Sequence, residues 1–298
     1  MDQADAVRPA SGSRRGRRRG LTALALAPFA LVVLFFLALP AVSLLWGSLH
    51  DPTTGALTAA NYSYLSGEDK SLKPFVNSLE LSFATMLSGG ILGLIVAQAL
   101  VSTRDRVVEL LVSSFSSVAA NFAGVPLAFA FIATLGVNGL LTKVLLAGGA
   151  DLYGHGFTLY DIVGLSVVYT YFQLPLMVLL ILPALQALKT EWREASENLG
   201  AGGVTYLRRV ALPVLTPAIL GAMLLLFANS FGAYATAYAL TTGFIALVPL
   251  TIGSVIYGDV TFDPGQADAL AMGMAVVMAV CLGLQAVLQR RASRWLRS

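Results

Sequence analysis

Six stretches of this chain are each long and apolar enough to cross a lipid bilayer, which leaves few folds open to it. A helix needs about 20 mostly apolar residues to cover a hydrocarbon core roughly 30 Å thick. Leu21–Trp46, Phe75–Val101, Val107–Leu135, Tyr160–Leu188, Ala218–Leu240 and Ala267–Leu288 all meet that length. The first holds fifteen Leu, Ile, Val or Phe residues and no charge. Each contributes about −0.3 to −0.6 kcal/mol to insertion, so partitioning into lipid is strongly favoured. The expected fold class is all-α, a polytopic membrane protein with six transmembrane helices. A mean hydropathy of +0.77 and 12% charged residues agree with that class, since roughly a quarter of residues are charged in soluble domains. The apolar stretch Phe244 to Tyr257 is too short to cross and contains Pro249. It reads as an interfacial or re-entrant element between spans five and six.

The basic residues orient the spans, because Lys and Arg concentrate in cytoplasmic loops. Sixteen of the nineteen fall on one side: Arg8, Arg14, Arg15, Arg17, Arg18 and Arg19, then Arg104 and Arg106, then Lys189, Arg193, Arg208 and Arg209, then Arg290, Arg291, Arg294 and Arg297. Only Lys70, Lys73 and Lys143 lie on the other. Both termini and the loop around Glu194 are thereby expected in the cytoplasm. The net charge of +3 sits at segment ends rather than in a stripe, so it does not point to nucleic acid.

An Arg cluster ahead of an apolar run also opens signal peptides, and Ser13-Arg14-Arg15 has a twin-arginine look. The apolar run here is about 25 residues, longer than the 7–15 of a cleavable signal, so a retained first helix is expected. Residues 1–20, rich in Arg, Gly and Ser, read as a disordered cytoplasmic tail. The bundle is expected over residues 21–290, followed by a basic tail over 291–298.

Lys189 to Pro217 is a polar island in this apolar chain. Leu188, Trp192, Ala195 and Leu199 recur at spacings of four, three and four, which aligns them on one face of a helix. Gly200, followed by Ala201-Gly202-Gly203, stops that helix and permits the reversal of a C-cap. A second short helix over about Val204 to Val210 follows, with Pro213 and Pro217 separating it from span five. An apolar stripe flanked by mixed charge suits a groove on a partner, or else a bed of lipid headgroups.

Within the island stand Glu194-Ala195-Ser196, three residues, Gly200, nine residues, then Val210, one residue, and Leu212-Pro213. This resembles the E-A-A-x3-G-x9-I-x-L-P loop of the permease subunits of binding-protein-dependent type I ABC importers. Ser196 departs from the second Ala of the pattern, a small-for-small change. The resemblance covers roughly Phe75 to Leu288. It implies a coupling role for Glu194, Ala195, Ser196, Gly200, Leu212 and Pro213, with Glu194 pairing with a basic group on a separate ATPase. Alone, Glu194 reads as a solvated helix charge, and Gly200 and Pro213 as structural residues. The implied partners are two copies of an ATP-binding subunit, a second permease (a copy of this chain or a related one), a solute-binding protein and the surrounding lipid. The implied location is the bacterial cytoplasmic (inner) membrane. Ser230-Phe231-Gly232-Ala233-Tyr234 through Asp268-Ala269-Leu270-Ala271 further resembles the polyamine, iron and phosphonate branch of these permeases.

What the sequence lacks narrows the reading further. It has no G-x4-G-K-[ST] phosphate loop, so ATP binding in that mode is not expected of this chain. Leu87-Ser88-Gly89-Gly90 imitates an ATPase signature, but it lies within an apolar span, where its glycines serve close helix packing. No nucleophile–base pair, carboxylate dyad or metal-ligand cluster stands out, and His50 and His155 are isolated. No enzyme activity, cofactor or metal is therefore expected. Cys281, the single cysteine, can form no intrachain disulfide. Ion-coupled carriers place ionisable groups near the bilayer midplane, whereas Glu80, Glu109, Asp161 and Asp268 lie near span ends. An ion-coupled secondary transporter or channel with no ATPase partner is the alternative reading.

Polar residues inside the middle spans are the candidates for a solute path. They include Ser113, Ser114, Ser116, Ser117, Tyr169, Thr170, Tyr171, Ser230, Tyr234, Thr236 and Tyr238, with Asn121, Gln173 and Asn229 singled out. Hydrogen bonding between helices is the competing explanation for each. Pro126, Pro175 and Pro183 can kink their helices and free carbonyls to line a cavity. The loops at about 47–74, 136–159 and 241–266 would face the binding protein.

Overall fold

The structure, a computed structural model, describes residues 26–52, 54–62, 72–103, 105–256 and 264–295; the expected tail over 1–20 lies outside them. Eleven helices organise the described chain: α1 Leu26–Ser48, α2 Lys73–Thr103, α3 Arg106–Asn121, α4 Val125–Leu135, α5 Leu140–Ala147, α6 Ile162–Gln186, α7 Thr190–Asn198, α8 Gly203–Phe231, α9 Ala235–Thr241, α10 Val248–Ile256 and α11 Pro264–Trp295. Six helical runs among them are long and apolar enough to cross a membrane. The all-α expectation of six spans holds.

The core is built on α2, whose 31 residues extend about 46 Å. Its buried residues include Ser78, Ser82, Thr85, Gly89, Gly93 and Ala97, a row of small side chains at helical spacing. Small residues let helix backbones approach closely where lipid offers no hydrophobic drive for association. A Cβ on Gly89 would stand 2.5 Å from Cβ of Gln173, and one on Gly93 would stand 2.5 Å from Cβ of Met177. A Cβ on Gly90 would lie 3.0 Å from Met223 on α8. The two glycines of the signature-like tetrapeptide are thus the points where α6 and α8 close onto α2.

The matching of Gly89 with Gln173 and Gly93 with Met177 makes α2 and α6 parallel, whereas Thr85 opposite Ser230 and Gly90 opposite Met223 make α8 antiparallel to both. Gly221 faces Gln285 and Gln289 while Gly232 faces Met274 and Met278, so α11 reverses direction again. The chain turn after α2, the α6–α8 connection and the end of α11 therefore share one end of the bundle. Among the described residues, Arg106, Lys189, Arg193, Arg208, Arg209 and Arg290 belong to that end. One buried cluster at mid-bundle joins Met177, Ile181, Leu215, Leu226 and Cys281. Another, toward the opposite end, joins Leu81, Leu127, Leu159, Leu165, Leu247 and Leu250.

Two expected spans are interrupted. Val107–Leu135 divides into α3 and α4 around Gly124, whose φ of 76° is left-handed, with Pro126 in the first turn of α4, and the run long and apolar enough to cross is instead Val125–Ala147, which takes in α5. Glu109 accepts a hydrogen bond from Gln186 at the end of α6, 2.6 Å, and Phe131 packs edge-on against Tyr171. Residues 106–135 thus climb alongside α6 in two pieces. The fifth span begins at Gly203 rather than Ala218 and breaks after Phe231, so that 235–241 forms the separate α9. Inside lipid, freed backbone groups need partners, and the first break finds one at the second while the second finds one on α6. The Gly124 N–H donates to Thr236 Oγ1 at 2.8 Å, and the Tyr169 hydroxyl donates to the Ala233 carbonyl at 2.9 Å.

Pro213 does not separate a short helix from span five as expected; α8 runs through it. A π turn over Leu207–Ala211 absorbs the proline, with the Leu212 N–H bonded to the Leu207 carbonyl five residues back. The wider turn relieves the clash of the pyrrolidine ring with the preceding helix. The same device precedes Pro40 in α1, where Leu34–Ala38 is a π turn and the Leu39 N–H reaches the Leu34 carbonyl. The segment read as interfacial or re-entrant is α10, nine residues long and too short to cross. It covers the end of the bundle opposite the basic one, where Ser78 Oγ accepts from the Val248 N–H at 2.9 Å.

Candidate coupling site

The polar island folds as a helix, a tight reversal and the first turns of α8. In α7, Glu191 lies in the first turn, which complements the helix dipole. Arg193 Nε donates to Glu197 one turn on, at 2.9 Å. The helix then closes with a complete Schellman motif. The Gly200 N–H bonds the Glu197 carbonyl at 2.9 Å, and the Ala201 N–H bonds the Ser196 carbonyl at 3.0 Å. Gly200 sits at φ 77°, a conformation that costs roughly 1–2 kcal/mol for a residue with a Cβ. The reason for Gly at that place in the spacing is therefore a backbone one, and nothing lies within 4 Å of where its Cβ would be.

Folding back at Gly200 sets α7 beside the start of α8 and leaves a cavity of about 750 Å³ between them. Trp192, Ala195, Ser196 and Leu199 line it from one side, and Thr205, Arg209, Val210 and Val214 from the other. Three of the four stripe residues named from sequence meet there. The fourth, Leu188, precedes α7 and lines a separate cavity. Leu199 is 87% exposed and Val204 80%, an unusual load of apolar surface for a solvated turn. The Lys189 ammonium lies over the Trp192 ring, 5.6 Å from its centroid. Glu194 is exposed, as are Leu212 and Pro213, where α8 leaves the π turn. The six spacing residues thus occupy two arms of one hairpin.

The solute-path candidates do not come together. Gln173 is fully buried and donates to the Leu226 carbonyl at 2.7 Å, leaving its Oε1 without a partner. It is a tie in the α2–α6–α8 seam rather than a wall of an open space. Asn121 is exposed and donates back to the Ser117 carbonyl of its own helix at 2.8 Å. Asn229 is exposed near the end of α8. Ser88 with Thr170 at 2.6 Å and Thr85 with Ser230 at 2.8 Å complete the seam, the interhelical bonding weighed as the competing explanation. Sequence gave no sign of which polar residues turn inward, because pairing partners lie 82 and 145 residues apart.

Comparisons with known proteins bear on this arrangement. Residues 89–294 match the family described as binding-protein-dependent transport system inner membrane component. The probable ABC transporter permease protein y4fN of Sinorhizobium fredii is 29% identical over 273 residues, 91% of this chain and 44% of that one. The sulfate transport system permease protein CysT of Salmonella typhimurium is 27% identical over 148 residues, covering 48% and 52% of the two chains. The spermidine/putrescine transport system permease protein PotC of Haemophilus influenzae is 26% identical over 162 residues, covering 52% and 62%. The chain thus spans 44% to 62% of the length of these relatives. A crystal structure of a bacterial ABC transporter that imports the acidic polysaccharide alginate superposes with a TM-score of 0.69 over 94% of this chain and 98% of that one, at 16% identity. That likeness is one of fold. With the family match extending over most of its spans and through the α7 hairpin, this chain belongs to the inner membrane components of binding-protein-dependent transport systems.

Proposed function

We propose that this chain is the membrane-spanning permease subunit of an ATP-driven importer and moves a small solute by alternating access. The observation that carries the proposal is the α7 hairpin, an exposed helix with a large apolar-lined cavity beside it, at the bundle end where the basic residues gather. A separate ATP-binding subunit docks there, one for each of two permeases. Glu194 meets a basic group on it, and Trp192 and Leu199 supply the buried contact. Gly200 fixes the angle of α7, and Leu212 and Pro213 pass its movement into α8. The hairpin, and with it both termini, faces the cytoplasm of a bacterial inner membrane, in keeping with the distribution of Lys and Arg.

A solute-binding protein delivers cargo at the opposite end, over the described loops near 136–161 and 241–247. A second permease completes the pathway, with the exposed amides of Asn121 and Asn229 on its wall. Relatives named for sulfate and for spermidine/putrescine are similar to nearly the same degree, so the cargo is set mainly by the binding protein. Of the two, the polyamine class agrees with the residues from Ser230 to Ala271. Its check is whether spermidine raises the melting temperature of the partner binding protein while sulfate does not.

The test of coupling is uptake by proteoliposomes holding both permeases, the ATP-binding subunit and the binding protein. Glu194→Arg is expected to cut ATP-driven uptake at least tenfold while the melting temperature of the permease stays the same. Uptake that persists after ATP depletion and in Glu194→Arg sinks the proposal.

A further inference from the structure

The face of α7 turned away from the apolar cavity borders a second one of about 650 Å³, lined by Gln98, Val101 and Ser102 of α2, by Leu185, Gln186 and Leu188 around the end of α6, and by Lys189, Thr190, Arg193 and Tyr206. Like the first, it has two cations and no carboxylate in its wall, and Lys189 borders both. It differs in its neutral hydrogen-bonding groups, which here number five: Gln98, Ser102, Gln186, Thr190 and Tyr206. Glu109 of α3, on a neighbouring element, is engaged by the Gln186 amide. Arg193 is held through Nε by Glu197, which leaves its Nη donors available. Val101, Leu185 and Leu188 form the apolar part of the wall, next to the ends of two membrane-spanning helices.

We propose that this cavity binds the phosphate of an anionic membrane phospholipid. Basic pockets between spanning helices at the membrane surface suit such headgroups. The cations and donors take the phosphate, and the apolar residues receive the start of the acyl chains. A free phosphate ester shares the first half of that chemistry and lacks the second. A lipid seated there joins α2, α6 and the base of α7, and so sets how freely the hairpin moves. The site does not depend on the importer reading, because it requires only that the chain span a membrane.

The test uses the full chain purified in uncharged detergent, with titration of dispersed phosphatidylglycerol, phosphatidylcholine and soluble glycerol phosphate, and bound lipid counted by native mass spectrometry. Saturable binding of phosphatidylglycerol, at least tenfold tighter than either competitor, is expected. The double variant Lys189→Gln, Arg193→Gln should weaken it about thirtyfold, from roughly one order of magnitude or less per surface cation. Arg208→Gln, a charge removed from the same end outside the cavity, should leave it unchanged. Lys189→Arg should keep binding and reports on the site if the double variant folds poorly. Equal binding of phosphatidylcholine, an equal loss in Arg208→Gln, or glycerol phosphate binding as tightly as the lipid each overturns the proposal.

Discussion

At the residue scale, the glycines divide into those that hold the bundle and those that shape the hairpin. Gly93 belongs to the first kind, since a Cβ there would stand 2.5 Å from Met177 Cβ and 2.6 Å from the Leu174 carbonyl. A backbone carbonyl cannot step aside as a side-chain end can, so the two helices would have to part. Gly93→Leu is therefore expected to destabilise the protein by about 1–3 kcal/mol or more, read as a lower melting temperature and loss of the monodisperse peak in gel filtration. Gly283, with no atom within 4 Å, is the control. Gly283→Leu should change stability by less than about 0.5 kcal/mol. Both glycines lie in apolar spans, and only the packing distinguishes them. Gln173 carries the same lesson: its type suggested a polar wall, but the fold buried it opposite Gly89.

At the scale of the element, proline changes helix geometry here without ending helices. The residue before Pro40 and the residue before Pro213 each bond five residues back, and α1 and α8 continue past the proline. The extra residue in the turn over Leu207–Ala211 rotates everything before it by about 100° relative to a regular helix, a consequence of 3.6 residues per turn. That rotation fixes which way Thr205 and Arg209 face the cavity beside α7. Pro213→Ala removes the reason for the wide turn. The variant should keep its melting temperature within a few degrees yet lose most ATP-driven uptake, because the hairpin is then presented at a different angle. Unchanged uptake in that variant would show the π turn to be a local accommodation only. The boundaries of these elements were the least legible part of the sequence. Hydropathy sees apolar length, whereas the breaks at Gly124 and after Phe231 exist because their free backbone groups find Thr236 and Tyr169 across the bundle.

At the scale of the whole molecule, α2, α6 and α11 run one way and α8 the other, which collects the described basic loops at one end and α5, α9 and α10 at the other. The proposed orientation follows from which end faces the cytoplasm. In a Cys281→Ser background, Asn138→Cys, in the turn between α4 and α5, should react with a membrane-impermeant maleimide in cells whose outer membrane has been opened. Leu199→Cys, at the end of α7, should react only after the inner membrane is breached. The reverse pattern would invert the topology and remove the hairpin from reach of a cytosolic ATPase. Much of the surface also awaits company: α1 packs mainly on α11, and Phe29, Phe36, Val42 and Trp46 along it are exposed. In the proposed importer, lipid and the second permease would cover it.

The sequence by itself determined the all-α class, the six apolar runs, the grouping of basic charge in alternate loops and the spacing that marks the α7 hairpin. These are local properties, carried by composition, length and the left-handed demand at Gly200. Only the tertiary structure decided where spans three and five break, that α8 continues through Pro213, that Gln173 belongs to a buried seam, and that α7 stands between a mainly apolar cavity and a more polar one. Each of those depends on groups far apart in the chain meeting across helices, and in a bilayer a backbone or side-chain polar group takes its place from the partner that satisfies it.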